Sequence, residues 1–356
     1  MRRIIARAFL AATVASLAAT GPDAAAQDGG TAYSLAADAA ALFVFGGASL
    51  DPAEQSASWK LEANLLHRLD GEGWGAVLNQ SLDLTSSATG GVAATAHEAY
   101  ARLDLGDSGQ LFVGKRRLPL GLGTFFAPGD ALNPRTGFWD QKNGFRGLAF
   151  AGSIGSELGL RAALSLERNL AWASADPELL AWALSADLQL GSLQVAASGV
   201  WSPGESLRPS LALGCEFAGL VAQAEFAAEL EGGPDYYGTA GLRYAADSGF
   251  ASLVLSLDYG YNGSPGRLFK GTHYAVGSAS FSVAERLSAT ARALVEPEGP
   301  SAIASFALAL YPAPGLDLEG SLQAGLGEDG SELSRFALGS GTLLRVAWVF
   351  AVRVHF

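Results

Sequence analysis

The sequence predicts an all-β fold, a transmembrane antiparallel up-and-down barrel of about eighteen strands, with sixteen strands as the fallback. Three observations support this prediction. Apolar and polar residues alternate along many segments, and short turns alternate with longer polar loops between those segments. In addition, 49% of the residues are hydrophobic and only 16% are charged, against roughly 25% charged residues in an ordinary soluble domain. Such a balance indicates a chain that has a second apolar surface outside its core.

The alternation has the period of two that is typical of strands with one apolar face. In the segment from Leu179 to Leu190, leucine and tryptophan side chains share one face, and Asp187 and Gln189 lie on the other. The last segment, "RVAWVFAVRVHF", places Trp348 and Phe350 on one face and Arg353 on the other. No segment after Gln27 offers 18 apolar residues free of charge, so the sequence contains no candidate for a transmembrane helix.

The connections give the strand count and the topology. Eight short turns, such as "DGEG" at 70–73 and "PAPG" at 312–315, alternate with nine longer links, from 47–58 to 327–334. Transmembrane barrels have short turns on one side of the membrane and longer loops on the other. Because every backbone polar group must be paired inside a bilayer, the sheet has to close. Aromatic residues near the strand ends fit the interfacial girdles of such barrels; they are Trp59, Trp74, Tyr100, Trp201, Tyr244, Tyr259, Tyr261 and Trp348.

The N-terminal segment has the pattern of a signal peptide for secretion. Arg2, Arg3 and Arg7 precede a short apolar region, and "AAAQ" offers a cleavage site after Ala26. We therefore expect residues 1–26 to be removed and residues 27–356 to form one barrel domain. Without that segment the chain has 20 basic and 34 acidic residues, a formal charge of −14, which disfavours binding to nucleic acid. Cys215 is the only cysteine, so an internal disulfide is excluded.

Two stretches resemble bacterial outer-membrane proteins. The final strand ends on Phe356, and it resembles the C-terminal signal that such barrels present to the barrel-assembly machinery. The stretch "GKRRLPLGLGTFFAPGDALNP" (114–134) resembles one that several porin-like families share, although Leu120 stands where tryptophan is usual. This resemblance implies an outer-membrane channel and draws attention to Lys115, Arg116 and Arg117.

The longest loop, residues 118–146, contains the other candidates for the narrowest part of a pore. In porins such a loop folds inward, so we expect a constriction here, with an outward-facing cap as the alternative. If Leu111 and Val113 face lipid, Arg116 points inward, whereas Lys115 and Arg117 need a bulge to do so. The full set of constriction candidates is Lys115, Arg116, Arg117, Asp130, Arg135, Asp140, Lys142 and Arg146.

The inner wall of the predicted barrel carries charges of both signs, with acids slightly in excess. Rings of charged side chains bias which ions pass, so the wall favours cations weakly, while a basic constriction would favour anions. Any one of these residues can instead be part of a solvated, mutually paired wall. The residues assigned to the wall are Glu62, Arg102, Arg161, Asp187, Glu225, Arg243, Asp258, Arg292, Arg345 and Arg353.

Catalytic and metal-binding roles find little support. The four histidines, His67, His97, His273 and His355, are scattered without the spacing of metal ligands. Glu225 and Glu229 lie on one predicted strand without a partner base. We therefore predict a protein that is not an enzyme and needs no cofactor and no metal.

The predicted function is passive diffusion of small hydrophilic solutes or ions through a porin-like channel of the bacterial outer membrane. One alternative is a barrel with a closed or apolar lumen, acting as a carrier of hydrophobic solutes or as a structural surface protein. A second is an outer-membrane enzyme, which would need converging Ser, His and acidic residues. The expected partners are outer-membrane lipid and lipopolysaccharide, the barrel-assembly machinery and small solutes, and a homotrimer is left open.

Overall fold

The computed structural model describes residues 31–47, 49, 56–85, 91–122, 126, 128, 144–165, 180–201, 207–230, 235–263, 271–328, 331–337 and 343–355. The expected signal peptide, four constriction candidates (Asp130, Arg135, Asp140 and Lys142) and the terminal Phe356 lie outside these residues.

The described residues form twenty strands and no helix. The first nine are β1 (Ala32–Gly47), β2 (Ser56–Gly71), β3 (Trp74–Thr85), β4 (Gly91–Asp104), β5 (Gly109–Arg116), β6 (Phe145–Ile154), β7 (Leu158–Ser165), β8 (Ala181–Leu190) and β9 (Leu193–Trp201). The next eight are β10 (Arg208–Phe217), β11 (Leu220–Glu229), β12 (Asp235–Asp247), β13 (Ala251–Asn262), β14 (His273–Val283), β15 (Leu287–Glu296), β16 (Ser301–Ala313) and β17 (Leu316–Leu326). The last three are β18 (Phe336–Ala337), β19 (Leu343–Leu344) and β20 (Val346–His355).

Eighteen of these strands form one closed antiparallel sheet. Each strand pairs with its neighbours in sequence, and β1 pairs with both β2 and β20, which closes the barrel. The predicted fold and the count of eighteen strands are confirmed. The other two strands, β18 and β19, form a two-stranded sheet within the connection between β17 and β20. That connection is therefore longer than the predicted link 327–334.

The connections on one side of the barrel are tight turns, as predicted. The turn between β10 and β11 consists of Ala218 and Gly219, both at positive φ (51° and 78°). Two consecutive positive φ values are typical of a type I′ turn, whose twist matches that of the flanking strands. On the other side, the link predicted as a longer loop at 297–301 is instead a turn of four residues, 297–300.

The register assigns each side chain to one face, because residues opposite each other in an antiparallel pair share a face. Large apolar side chains are exposed on the outer face, among them Trp182, Leu184, Phe226 and Phe350. One aromatic residue that we assigned to the interfacial girdles, Tyr100, does not lie there. It shares the face of Arg102 and contacts the ring of Phe112 at 5.8 Å between centroids, so it lies on the inner wall. No helix of the described residues is long and apolar enough to cross a membrane.

Candidate functional site in the barrel lumen

The connection between β5 and β6, here called the long loop (residues 117–144), enters the lumen directly after β5. Leu118 and Leu120 are each only 2% exposed, and they belong to one buried cluster with inward-facing residues of β5 to β9. The wall residues of this cluster are Phe112, Phe145, Ala149, Ala163, Ala183 and Val200. Three of these six residues are alanines, whose small side chains leave room for the leucine side chains. The start of the long loop therefore packs along the inner wall.

Further along, the long loop contacts β10 and β11. The backbone N–H of Leu122 donates to Oε2 of Glu225 at 3.1 Å, and Glu225 is only 3% exposed. A Cβ at Gly121 would lie 2.4 Å from the same carboxylate oxygen, and one at Gly214 would lie 3.4 Å from Cδ1 of Leu122. Small residues therefore allow the backbone of the loop and the wall to approach closely.

Phe126 of the long loop lies against the opposite side of the barrel. A Cβ at Gly260 of β13 would lie 2.7 Å from the Phe126 ring, and the ring centroid lies 6.2 Å from that of Tyr274 on β14. Eight strands lie between β5 and β14 in either direction around the sheet of eighteen. The described part of the long loop thus crosses the lumen from one wall to the facing wall.

The connection between β17 and β20 is here called the last loop (residues 327–345), and its described segment 331–336 lies inside the barrel. Leu333 is fully buried and Phe336 is 3% exposed. Both belong to a second buried cluster, against which Phe126, Val44 and Leu344 also pack. The wall residues of that cluster are Tyr274, Val276, Leu294, Ile303 and Ala347. Two loops therefore meet at Phe126 inside the lumen.

The structure separates the basic residues at the start of the long loop. Arg116 faces inward, with its guanidinium carbon 3.3 Å from the centroid of the Phe112 ring and 5.3 Å from that of Tyr100. Lys115 is opposite Arg146 and Ala99 on the outer face, and its Nζ donates to the carbonyl oxygen of Ala96 at 2.7 Å. The register of β5 with β6 is continuous to Arg116, so no bulge within β5 turns Lys115 inward.

Arg117 follows the end of β5, and the side chain is half-buried. Its backbone N–H lies 3.5 Å from Oε1 of Glu98 on the inner wall of β4. Among those of the eight constriction candidates that the structure describes, Arg116 is the one that lies on a strand with its side chain directed into the lumen.

Several charges assigned to the wall form ion pairs, either within one strand or with a neighbouring strand. Lys60 lies 3.0 Å from Glu62 and 3.1 Å from Asp83. Three further pairs involve assigned arginines. Arg161 lies 3.0 Å from Asp187, Arg102 lies 3.1 Å from Asp104, and Arg353 lies 4.0 Å from Asp38. These residues form a paired and partly solvated wall.

Glu225, Asp258 and Arg345 have structural contacts in the lumen. Asp258 is 4% exposed, and a Cβ at Gly241 would lie 2.2 Å from its Oδ1. Arg345 donates from Nη2 to the carbonyl oxygen of Gly327 at 2.8 Å and so closes the last loop. These three side chains hold loops and strands together.

Arg243 and Arg292 differ from the other assigned arginines. Both are exposed on the inner wall, and no carboxylate of the described residues pairs with either of them. They lie in one register row across six adjacent strands, β12 to β17. The row, which we call the polar row, consists of Arg243, Ser256, Ser278, Arg292, Ser305 and Gln323. Along β14 to β16, the polar row lies two residues closer to the short turns than the second buried cluster, which the last loop covers.

Sequence reasoning missed the residues that receive the two loops. The apolar residues Val276, Leu294 and Ile303 lie at inward positions where a porin-like wall is expected to be polar. A second signal for a covered wall was alanine or glycine at inward positions of consecutive strands, as at Ala163 and Ala183. Both irregularities mark the wall under a loop.

The described residues contain no group of three or more metal-ligating side chains. His273 lies on the outer face, where its Nδ1 is 2.5 Å from the hydroxyl of Tyr259. His97 lies at the bulge of β4, 2.9 Å from the hydroxyl of Ser81. The two histidines are thus on different faces of the barrel.

Comparison with solved structures finds the same barrel fold in several bacterial proteins. OccK9 (OpdG) of Pseudomonas aeruginosa aligns with a TM-score of 0.59 at 14% identity over 91% of this chain and 98% of that one. OccK2 (OpdF) of the same organism, solved with glucuronate, aligns at 0.56 and 12% over 91% and 98%. OpdK, an outer membrane protein of Pseudomonas aeruginosa, solved with vanillate, aligns at 0.57 and 12% over 90% and 98%. No family model matches the sequence, and no curated protein matches it significantly. The similarity establishes that this chain has the eighteen-stranded barrel fold of these proteins.

Proposed function

We propose that this protein is an outer-membrane channel for passive diffusion of small hydrophilic solutes, and that the long loop forms its constriction. The observation that carries the proposal is the course of the long loop, which contacts the wall at Leu120, Leu122 and Phe126 on its way across the lumen. Barrels of this size otherwise leave a wide aqueous channel. A loop packed across that channel restricts which solutes pass.

The apolar residues inside the barrel do not favour a carrier of hydrophobic solutes. Leu294 and Ile303 are fully buried under the last loop, and Phe112 is 2% exposed under the long loop. These side chains are covered by the protein itself, so a hydrophobic solute has no access to them. Arg243 and Arg292, in contrast, are exposed on the inner wall and polar.

The polar row suggests the class of solute. Two guanidinium groups three strands apart, with Ser256 and Ser278 between them, offer donors to a carboxylate and to hydroxyl groups. Adjacent strands are about 4.8 Å apart, so the two arginines are anchored roughly 14 Å from each other along the wall. Glucuronate, the ligand of OccK2, has both functional groups, and we extend to this chain a preference for hydroxylated carboxylates.

Uptake of solutes by liposomes tests both the channel function and the proposed class of solute. Protein-containing vesicles should take up glucuronate faster than an uncharged sugar of similar size. The variant Arg292→Gln should reduce glucuronate uptake several-fold and leave sugar uptake unchanged, because the row loses one cation but little volume. The matched control is Arg286→Gln, at the turn between β14 and β15. If folded protein takes up neither solute, the channel function is wrong; if Arg292→Gln equals the control, the solute class is wrong.

The same proposal covers export, assembly and partners. It includes cleavage after Ala26, recognition of Phe356 by the barrel-assembly machinery, and contact of the outer face with lipid and lipopolysaccharide. Passive diffusion involves no bond making, so no enzymatic activity and no cofactor are proposed. A homotrimer is left open, and cross-linking of the purified protein in detergent would test for it.

A further inference from the structure

The last loop carries a buried segment, residues 331–336, which we call the inner lobe. Leu333 and Ser334 are 0% and 1% exposed, and Phe336 is 3% exposed. Surface loops rarely bury side chains so completely. The wall beneath them is apolar at Val276, Leu294 and Ile303, although these positions face the lumen. The inner lobe therefore packs on an apolar area of the inner wall.

The backbone of the inner lobe lies directly on β17. A Cβ at Gly325 would lie 2.3 Å from the carbonyl oxygen of Ser334, so only glycine fits there. The N–H of Leu333 points to Oγ of Ser301 at 3.3 Å, and this hydroxyl donates to Oε2 of Glu296 at 2.8 Å. Wall residues from β15, β16 and β17 thus hold the inner lobe in one position.

Glu332 connects the inner lobe to β14. Its carboxylate accepts a hydrogen bond from the hydroxyl of Tyr274 and one from the N–H of Gly271 at 3.1 Å. Tyr274 is 1% exposed, and its ring also contacts Phe126 of the long loop. One tyrosine on the inner wall therefore touches both loops, with its hydroxyl on the last loop and its ring on the long loop.

We propose that the inner lobe is a second narrowing element of the channel and that Tyr274 and Glu332 are the positioning residues that couple it to the long loop. This inference rests on the proposed channel function and adds a second loop to its constriction. The aperture then depends on two loops that support each other through Phe126 and Tyr274. Release of the Tyr274–Glu332 bond removes one of the contacts that hold the inner lobe, so the lobe leaves the narrow region more often.

Single-channel recording tests the proposal with a conservative substitution. Tyr274→Phe keeps the ring that contacts Phe126 but removes the hydroxyl bonded to Glu332. We expect a higher mean conductance and frequent transitions to a wider level, and we expect Glu332→Ala to do the same. The matched control is Tyr311→Phe, which removes a hydroxyl that contacts Ser288 at 3.2 Å elsewhere on the wall. If Tyr274→Phe and Glu332→Ala both behave like the control, the proposal is wrong.

Chemical labelling provides a readout that does not depend on conductance. In a Cys215→Ala background, Leu333→Cys places a thiol at a fully buried position. A water-soluble maleimide should react with it slowly, and at least tenfold faster when Tyr274→Phe or Glu332→Ala is added. Unchanged labelling would overturn the positioning role even if the wild-type protein conducts. Accelerated labelling of a protein without conductance would support the positioning role and refute the channel function.

Discussion

Leu120 is the residue whose truncation tests the packing of the long loop most cleanly. The side chain is 2% exposed in the cluster with Leu118 and Phe112. The change Leu120→Ala removes about three methylene equivalents, worth roughly 2.4 kcal/mol of burial at about 0.8 kcal/mol each. A residual cavity raises the cost to about 3 kcal/mol. Because 1.4 kcal/mol corresponds to a factor of ten, the ratio of packed to released loop should fall about 100-fold.

The assay is single-channel recording of Leu120→Ala beside a leucine truncation that cannot affect the loop. Leu213→Ala serves as this control, because Leu213 is 47% exposed on the outer face of β10. Leu120→Ala should visit a wider, noisier level far more often than the wild type, and Leu213→Ala should not. Equal occupancy of that level in all three proteins would refute the packing of the loop on the inner wall.

Three further predictions follow from the same geometry. Gly260→Val should displace the Phe126 ring, 2.7 Å from the new Cβ, and raise the conductance; Gly277→Val, with nothing within 4 Å, should not, and equal currents would contradict the contact. Arg116→Gln should move the reversal potential in a salt gradient toward cation preference, because the half-buried guanidinium faces the lumen; an unchanged potential would exclude it from the ion path. Cys215, exposed on the outer face, should be protected from a water-soluble maleimide in vesicles but react in detergent; equal reaction in both would contradict its lipid-facing position.

The barrel could be predicted from the sequence because its signals are local. The alternation along the last strand placed Trp348 and Phe350 outside and Ala351 and Arg353 inside, and the register of β20 agrees. The strand count followed from the alternation of turns and loops, which the sheet order confirms. In such a barrel each strand pairs with its neighbours in sequence, so local periodicity determines most of the topology.

The interior of the lumen could not be predicted in the same way, because its contacts join residues far apart in sequence. Leu122 and Glu225 are 103 positions apart, and Tyr274 and Glu332 are 58 positions apart. Periodicity assigned Glu225 to the inner wall but could not show that a loop backbone covers it. It also could not separate Arg292, which is exposed, from Arg345, which closes the last loop.

The conductance of single molecules in a planar bilayer, with a salt gradient across it, tests the central claim most directly. A barrel with a water-filled lumen narrowed by two inward loops should open in discrete steps, with a conductance well below that of Leu120→Ala. The lumen-facing Arg116, Arg243 and Arg292 should give a reversal potential on the anion side. A folded protein, identified by heat-modifiable migration in electrophoresis, that gives no openings would contradict the account and favour a closed barrel.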